Sequence, residues 1–375
     1  MKQYKVLSIL AWLLTAFILA SCGNGSTDIG NGSTDVGNGN TNVADSSEQS
    51  EDATLNVFEW SGYELPEFWA QFAEQHPTTT VDFSFFGEDA EAFAKLQTGY
   101  QTDVFHPCSS WWELYVDNEL VQPLDLSRLE NFDTMPESLT QYGQFNGQQY
   151  FIPWEWGYES ILVRTDKVDK MPTSWQDLWD PAYAGHVAIY DSGETQHVVG
   201  ALVLGYDPYN TTAEQNEAIV QKLTELKPNL LTYWTDYTEI VQLVAAGDVW
   251  IAGNAWPDTL VLLQEEGVPV EYITPEEGRM GYICGFGIAA NAANVDLAYD
   301  YLNAVTNLEA MTFLINEYGY GAANSEAVAQ ADQEIVELLQ IADPDILNHT
   351  IFYESVTPEQ RELFVSDWAR VKAAP

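Results

Sequence analysis

From residue 55 onward the sequence alternates between two hydrophobic periods, and this alternation restricts the fold more than any other feature. Residues 55–60 (Leu-Asn-Val-Phe-Glu-Trp) have the apolar, aromatic pattern of a short strand. Residues 66–75 read as a helix with Pro66 in its first turn. Residues 80–85 alternate with a period of two, 88–97 return to a helical period, and 103–105 read as a buried strand. A β-α-β-α-β order predicts a parallel sheet with helices on its faces. Ligands of such sheets sit beyond the carboxyl ends of the strands. The loops at those ends hold Trp60, Ser61 and Tyr63, then Cys108, Ser109, Ser110, Trp111 and Trp112. Aromatic side chains therefore cluster where the topology expects a site.

A second α/β series follows. Strands are expected at 150–153, 160–164, 187–190 and 249–252, the last ending near Trp256, and a crossing strand at 280–289. Helices are expected at 174–179, 195–204, 214–226, 237–246, 297–307, 308–318 and 358–372. Two α/β lobes linked by several crossings leave a cleft between them.

The first 53 residues read as an address. Lys2 and Lys5 precede an apolar run from Val6 to Leu19, which is followed by Leu19-Ala20-Ser21-Cys22. A basic start, a short apolar stretch and small residues make an export signal; the run is short for a membrane span. The Leu-Ala-Ser-Cys ending resembles a bacterial lipobox, which implies cleavage before Cys22 and lipid on its sulfur, anchoring the chain to a bacterial membrane at the periplasm or cell surface. Residues 23–43 repeat a heptad three times (GNGSTDI, GNGSTDV, GNGNTNV), a composition suited to a flexible tether.

Charge narrows the partners. The chain carries 57 Asp+Glu against 13 Lys+Arg, a formal charge of −44, which repels nucleic-acid phosphates and favours a cationic partner. A solvated, salt-adapted surface explains the same number equally well. The aromatic content, 13 Trp, 20 Tyr and 16 Phe, exceeds what a core needs and fits a lined cleft. No metal-ligand motif, phosphate-binding loop or nucleophile motif is present, so no metal, cofactor or catalytic residue is expected. Cys108 and Cys284 either pair or remain separate buried thiols.

At this point the body resembles the spermidine/putrescine-binding proteins, the type II solute-binding components of bacterial ABC importers. The resemblance rests on Phe58-Glu59-Trp60-Ser61-Gly62-Tyr63, Ile152-Pro153-Trp154-Glu155-Trp156-Gly157 and Thr173-Ser174-Trp175-Gln176-Asp177-Leu178-Trp179. Tyr183-Ala184-Gly185, Ala245-Ala246-Gly247-Asp248-Val249, Ile288-Ala289-Ala290-Asn291-Ala292 and Tyr318-Gly319-Tyr320 follow in the same order. It implies a two-lobed periplasmic-binding-protein fold with α/β lobes, lobe 1 being 54–159 plus 285–327 and lobe 2 being 160–284 plus 328–375, joined by hinge crossings. It also implies a monomer that docks on a permease driven by a cytoplasmic ATPase.

Site positions implied by the resemblance are Trp60, Ser61, Tyr63, Cys108, Ser109, Trp111, Asp191, Glu194, Trp256, Asp258, Tyr282, Cys284 and Tyr320. The family often has an acid one or two residues after the Trp60 position and another at the Cys284 position; here Ser61, Gly62 and Cys284 stand instead. Glu155, between two tryptophans, is the residue expected to replace a lost acid. Aromatic faces suit both the methylenes and the ammonium groups of a polyamine, and carboxylates hold the ammonium groups. A receptor of the same fold for another amine, a peptide-like compound or a sugar is the alternative, and a secreted glycosidase built on two carboxylates the remote one. Arg279 is the basic side chain expected near the site loops.

Overall fold

The computed structural model describes residues 53–343 and 345–375. The export signal, Cys22 and most of the tether lie outside the described residues. The first five elements form as the alternating pattern requires: β1 (Thr54–Trp60), the helix Ala70–Gln75, β2 (Thr80–Phe86), the helix Asp89–Gln97 and β3 (Val104–Phe105). Pro66 opens a short 3-10 turn, Pro66–Phe68, that precedes the first helix rather than belonging to it. β1 lies between β2 and β3 and is parallel to both.

A small hairpin, β4 (Gln144–Phe145) with β5 (Gln148–Gln149), leads into β6 (Phe151–Arg164). Two strands were expected here, and one strand of 14 residues, buried throughout, is found. The run Trp154-Glu155-Trp156-Gly157-Tyr158-Glu159 looks like an interruption because its acids and glycine occupy alternate positions. In an extended chain those positions share one face, so they do not break the strand.

Beyond β6 the chain forms β7 (Val187–Tyr190), β8 (Leu230–Trp234), β9 (Ile251–Ala255) and β10 (Val270–Ile273), then returns through β11 (Arg279–Ile288) and ends with β12 (Gly321–Ala322) and β13 (Thr350–Phe352). The main sheet runs β2-β1-β3-β11-β6-β9-β7-β8. Each end is a parallel set, β2-β1-β3 and β9-β7-β8. The middle is the antiparallel pair β6 and β11, through which the chain passes from one parallel set to the other and back. This is the α/β architecture of a periplasmic binding protein.

The apolar side chains form one large cluster that includes Val57, Phe105, Trp112, Phe151 and Trp154 and continues to Trp234 and Ala252. A second cluster surrounds Ile161, Trp175, Val187, Val198 and Ile219. The helices Tyr237–Ala246 and Leu308–Tyr318 fall at their expected bounds and each ends on a left-handed glycine, Gly247 and Gly319. Three helices bear directly on the site. The helix Gly193–Val203 starts from Ser192, whose side chain accepts from the Thr195 amide. The helix Pro358–Ala373 starts from a Thr357–Gln360 capping box. The helix Ser109–Asp117, read from sequence as a loop, begins directly after Cys108.

Candidate functional site

The antiparallel crossing sets the site geometry. On β6, Glu155, Gly157 and Glu159 project to one face, with Trp154, Trp156 and Tyr158 on the other. Across on β11, Cys284 stands opposite Glu155, Tyr282 opposite Gly157 and Met280 opposite Glu159. A Cβ at position 157 would collide with the Tyr282 ring, so the glycine makes the bed on which that phenol lies between the two glutamates. Tyr320 meets Tyr282 edge to face at 6.0 Å.

Both glutamates are buried. Glu155 Oε2 accepts from the Tyr63 hydroxyl at 2.7 Å, and Tyr63 stacks on Tyr318 at 4.9 Å. Burial pushes the Glu155 carboxyl up to about 7, against the opposing pull of His106 and the Tyr63 hydrogen bond. Burial raises Glu159 further, to about 8, although Tyr353 and Trp256 both hydrogen-bond to it. Tyr353 in turn is met by the Thr195 hydroxyl at 2.9 Å. Among the described residues, no Lys, Arg or His forms an ion pair with either glutamate. Burial also raises the phenols of Tyr282 and Tyr320, with neighbouring acids adding to the effect, so both remain hydrogen-bond donors.

Beside this face lies a second acid with its own partner. Glu59 Oε1 and His106 Nδ1 are 2.6 Å apart and fully buried. Burial drives the Glu59 carboxyl up. It pulls the His106 imidazole down, but the carboxylates of Glu59, Glu155 and Asp89 hold it above its ordinary value. The Trp60 indole donates to the His106 carbonyl at 2.8 Å and its ring packs on Phe86 at 4.5 Å.

Cys108 and Cys284 are joined by a disulfide across the return crossing, the paired alternative of the two the sequence left open. The Cys108 amide donates to Asp89 Oδ1 at 3.0 Å. Asp89, raised by burial to about 7, is thereby held at the edge of the acid group. Ser109 is buried and donates to the Tyr353 carbonyl at 2.8 Å. Ser61 is exposed in the turn after β1.

The remaining acids implied by the resemblance have different surroundings. Asp191 accepts from the Trp368 indole and from Lys372 Nζ, both at 2.7 Å. Glu194 pairs with Arg361 at 2.9 Å; burial still raises its carboxyl against that guanidinium. Arg361 lies 4.3 Å over the Trp111 ring and also donates to the Ser110 carbonyl at 3.2 Å. Trp256 packs between Tyr190 (5.3 Å) and Trp234 (5.2 Å). Asp258, in the first turn of the helix Pro257–Glu265, is raised by burial.

The structure therefore brings together Tyr63, Glu155, Tyr282, Tyr320 and Asp258 and places Trp256 at the Glu159 end. Sequence reading passed over Glu59, Asp89, His106, Glu159, Tyr353 and Arg361. Glu159 was legible: Glu155-x-Gly157-x-Glu159 is a period-two pattern once the strand is read as continuous. Arg279 proves to lie on the opposite side of the crossing, 4.4 Å over Tyr158 and bonded to Gln340. The basic residues that reach the implied acids are Arg361 at Glu194 and Lys372 at Asp191, both from the C-terminal helix.

Comparison with known proteins agrees with this architecture. The chain is 25% identical over 328 residues to the spermidine/putrescine-binding periplasmic protein of Salmonella typhimurium, covering 86% of this chain and 88% of that one. The crystal structure of the spermidine/putrescine ABC transporter substrate-binding protein PotD from Streptococcus pneumoniae matches with a TM-score of 0.74 at 23% identity, covering 85% of this chain and 98% of that one. A binding protein, MotA from A. tumefaciens B6 in complex with glucopine, has the same fold at a TM-score of 0.63 and 19% identity, covering 85% and 99% of the two chains. The family model described as bacterial extracellular solute-binding protein matches residues 67–341. With its crossing strands and this match over residues 67–341, the chain belongs to the bacterial extracellular solute-binding protein family, whose members bind solutes and are not enzymes.

Proposed function

We propose that this protein is the extracytoplasmic receptor of an ABC importer and captures a linear polyamine of the putrescine/spermidine kind. One observation carries the reading: Glu155 is buried among Tyr63, Tyr282 and Tyr320 with no Lys, Arg or His ion-paired to it among the described residues. A buried carboxylate without a counter-ion is costly, and an ammonium brought by a ligand removes that cost. The phenol faces add cation–π attraction of about 0.5–2 kcal/mol each, and their carbon surfaces suit methylenes. The names of the relatives support the same ligand class.

Lobe 1 is 54–159 with 285–327, and lobe 2 is 160–284 with 328–375; closure of the two lobes buries the ligand. Lipid on Cys22 tethers the protein to the membrane that carries its permease, and a cytoplasmic ATPase supplies the energy. A receptor for a different solute is the second reading, favoured by the disulfide at Cys284 where the resemblance expects an acid.

Calorimetry of the mature protein with putrescine, spermidine and spermine tests the proposal. Saturable heat with at least one amine, and none with a sugar or an anionic opine, is expected. Absence of heat and of any thermal shift at millimolar amine would sink it in favour of the second reading.

A further inference from the structure

We propose that Glu159 is a ligand-anchoring carboxylate, acting with Glu155 from the same face of the crossing strand, and that Arg361 is a resident cation filling the Glu194 seat in place of a ligand ammonium. This rests on the polyamine reading above and names the acids and ligand length that it requires.

Four carboxylates differ in what neutralises them. Asp191 is met by Lys372 and Glu194 by Arg361. Both bases come from one element, the helix Pro358–Ala373, and sit one charge to one charge. Arg361 further reproduces the contacts of a bound organic cation, lying over the Trp111 ring while it pairs with an acid. A ligand ammonium entering there would have to displace a guanidinium that is already paired and stacked.

Glu155 and Glu159 present the opposite condition. Each is buried and, among the described residues, accepts hydrogen bonds from neutral donors alone: Tyr63 for Glu155, and Tyr353 and Trp256 for Glu159, while the nearest imidazole, His106, is bonded to Glu59. Hydroxyl and indole donors fix where these carboxylates point without supplying charge. Trp256 adds an aromatic face at the Glu159 end, as Tyr282 and Tyr320 do at the Glu155 end. Four residues along an extended strand correspond to about 13 Å between the two anchor positions. A four-carbon diamine bridges that span only when fully extended and in line with both carboxylates, whereas a triamine or longer polyamine bridges it with slack, its methylenes laid over the Tyr282 ring. The site so defined discriminates in favour of the longer amine.

Calorimetric titration of the mature protein with spermidine and putrescine, on the wild type, Glu159→Gln and Glu194→Gln, tests this. Wild type is expected to bind spermidine at least tenfold more tightly than putrescine. Glu159→Gln should weaken spermidine at least tenfold more than Glu194→Gln does, and shrink the preference over putrescine. Glu159→Asp, which keeps the charge but retracts it by one methylene, should fall between wild type and Glu159→Gln, and serves alone if the glutamine variant does not fold. A larger loss in Glu194→Gln than in Glu159→Gln, or Glu159 variants within twofold of wild type, would overturn this inference while leaving polyamine binding intact. If wild type binds neither amine, the fault lies with the polyamine reading itself.

Discussion

Two sets of carboxylates occupy the candidate site and differ in one respect, whether the protein supplies the cation. Glu59, Asp191 and Glu194 each have a resident partner in His106, Lys372 and Arg361. Glu155 and Glu159, on the crossing strand, have only neutral hydrogen-bond donors among the described residues. Burial alone does not separate the sets, since Glu59, Glu155 and Glu159 are all buried. The paired acids are part of the fold, and their charge is already balanced. The unpaired acids hold their protons up to about neutral pH, and they ionise when something else brings a positive charge. Asp89 and Asp258, also raised by burial, accept from backbone amides and have no ion pair among the described residues, so it is the lack of a resident cation together with a place on the crossing strand beside aromatic faces that marks Glu155 and Glu159.

The sharpest way to break this distinction is to remove a resident cation. His106→Ala leaves Glu59 buried without its partner, and we expect a loss of about 3–5 kcal/mol in unfolding free energy, as for other broken buried pairs. Urea denaturation measures it; a loss below 1 kcal/mol would mean that Glu59 does not depend on His106. Next in size is the disulfide beside Glu155. It joins residues 176 apart in sequence, and replacing both cysteines by serine should cost about 2–4 kcal/mol. Equal denaturation midpoints with and without reductant would contradict this.

How much of this was visible in the sequence depended on whether a signal was local. The parallel β1-β2-β3 set and the helices Tyr237–Ala246 and Leu308–Tyr318 follow from periodicity and caps, which need only neighbouring residues. β6 was read as two strands because an acid and a glycine in a buried run suggest a break. Its continuity depends on four neighbours, β11 and β12 along its first half and β9 and β10 along its second, that come from distant parts of the chain. Glu155 stood out because it lies between two tryptophans. Glu159 stands out only once β6 is read as one strand, and its partner Tyr353 lies 194 residues away in sequence. Arg361 falls within the helix expected at 358–372, and nothing in its local sequence indicates that it crosses to Glu194 and Trp111.

The unpaired set should respond to mutation in the opposite way to His106. Glu155→Gln keeps the shape and removes a buried acid that has no ion-pair partner among the described residues, so the ligand-free protein should be as stable as wild type or more so. Ligand affinity should nevertheless fall by roughly 10–100-fold, the worth of a hydrogen bond to a charged group at about 1.5–3 kcal/mol. Thermal melts with and without spermidine separate the two effects, and a variant that loses stability while keeping affinity would move Glu155 into the structural set.

The smallest effect, per unit of pH, comes from protons. Glu155 and Glu159 bind protons more tightly in the folded chain than in the unfolded one, at about 7 and about 8 against an ordinary 4.5. Raising the pH from 5 to 8 therefore strips protons from the unfolded state first, and the ligand-free fold should lose up to about 1.4 kcal/mol per pH unit for each acid. Affinity for an amine must run the other way. The bound form needs ionised carboxylates, so binding expels protons below pH 8, and affinity should fall by up to tenfold per pH unit per acid on acidification. The groups facing Glu159 are Tyr353, Trp256 and Glu194, and those facing Glu155 are Tyr63, His106 and Glu59. Of these only His106 gains positive charge on acidification, which adds to the loss of affinity. Calorimetry at pH 6, 7 and 8 in two buffers of different ionisation heat counts the protons released. Stability that falls with pH while affinity rises would mark these two glutamates as built for a partner that the protein does not contain; an affinity independent of pH would place the cation elsewhere.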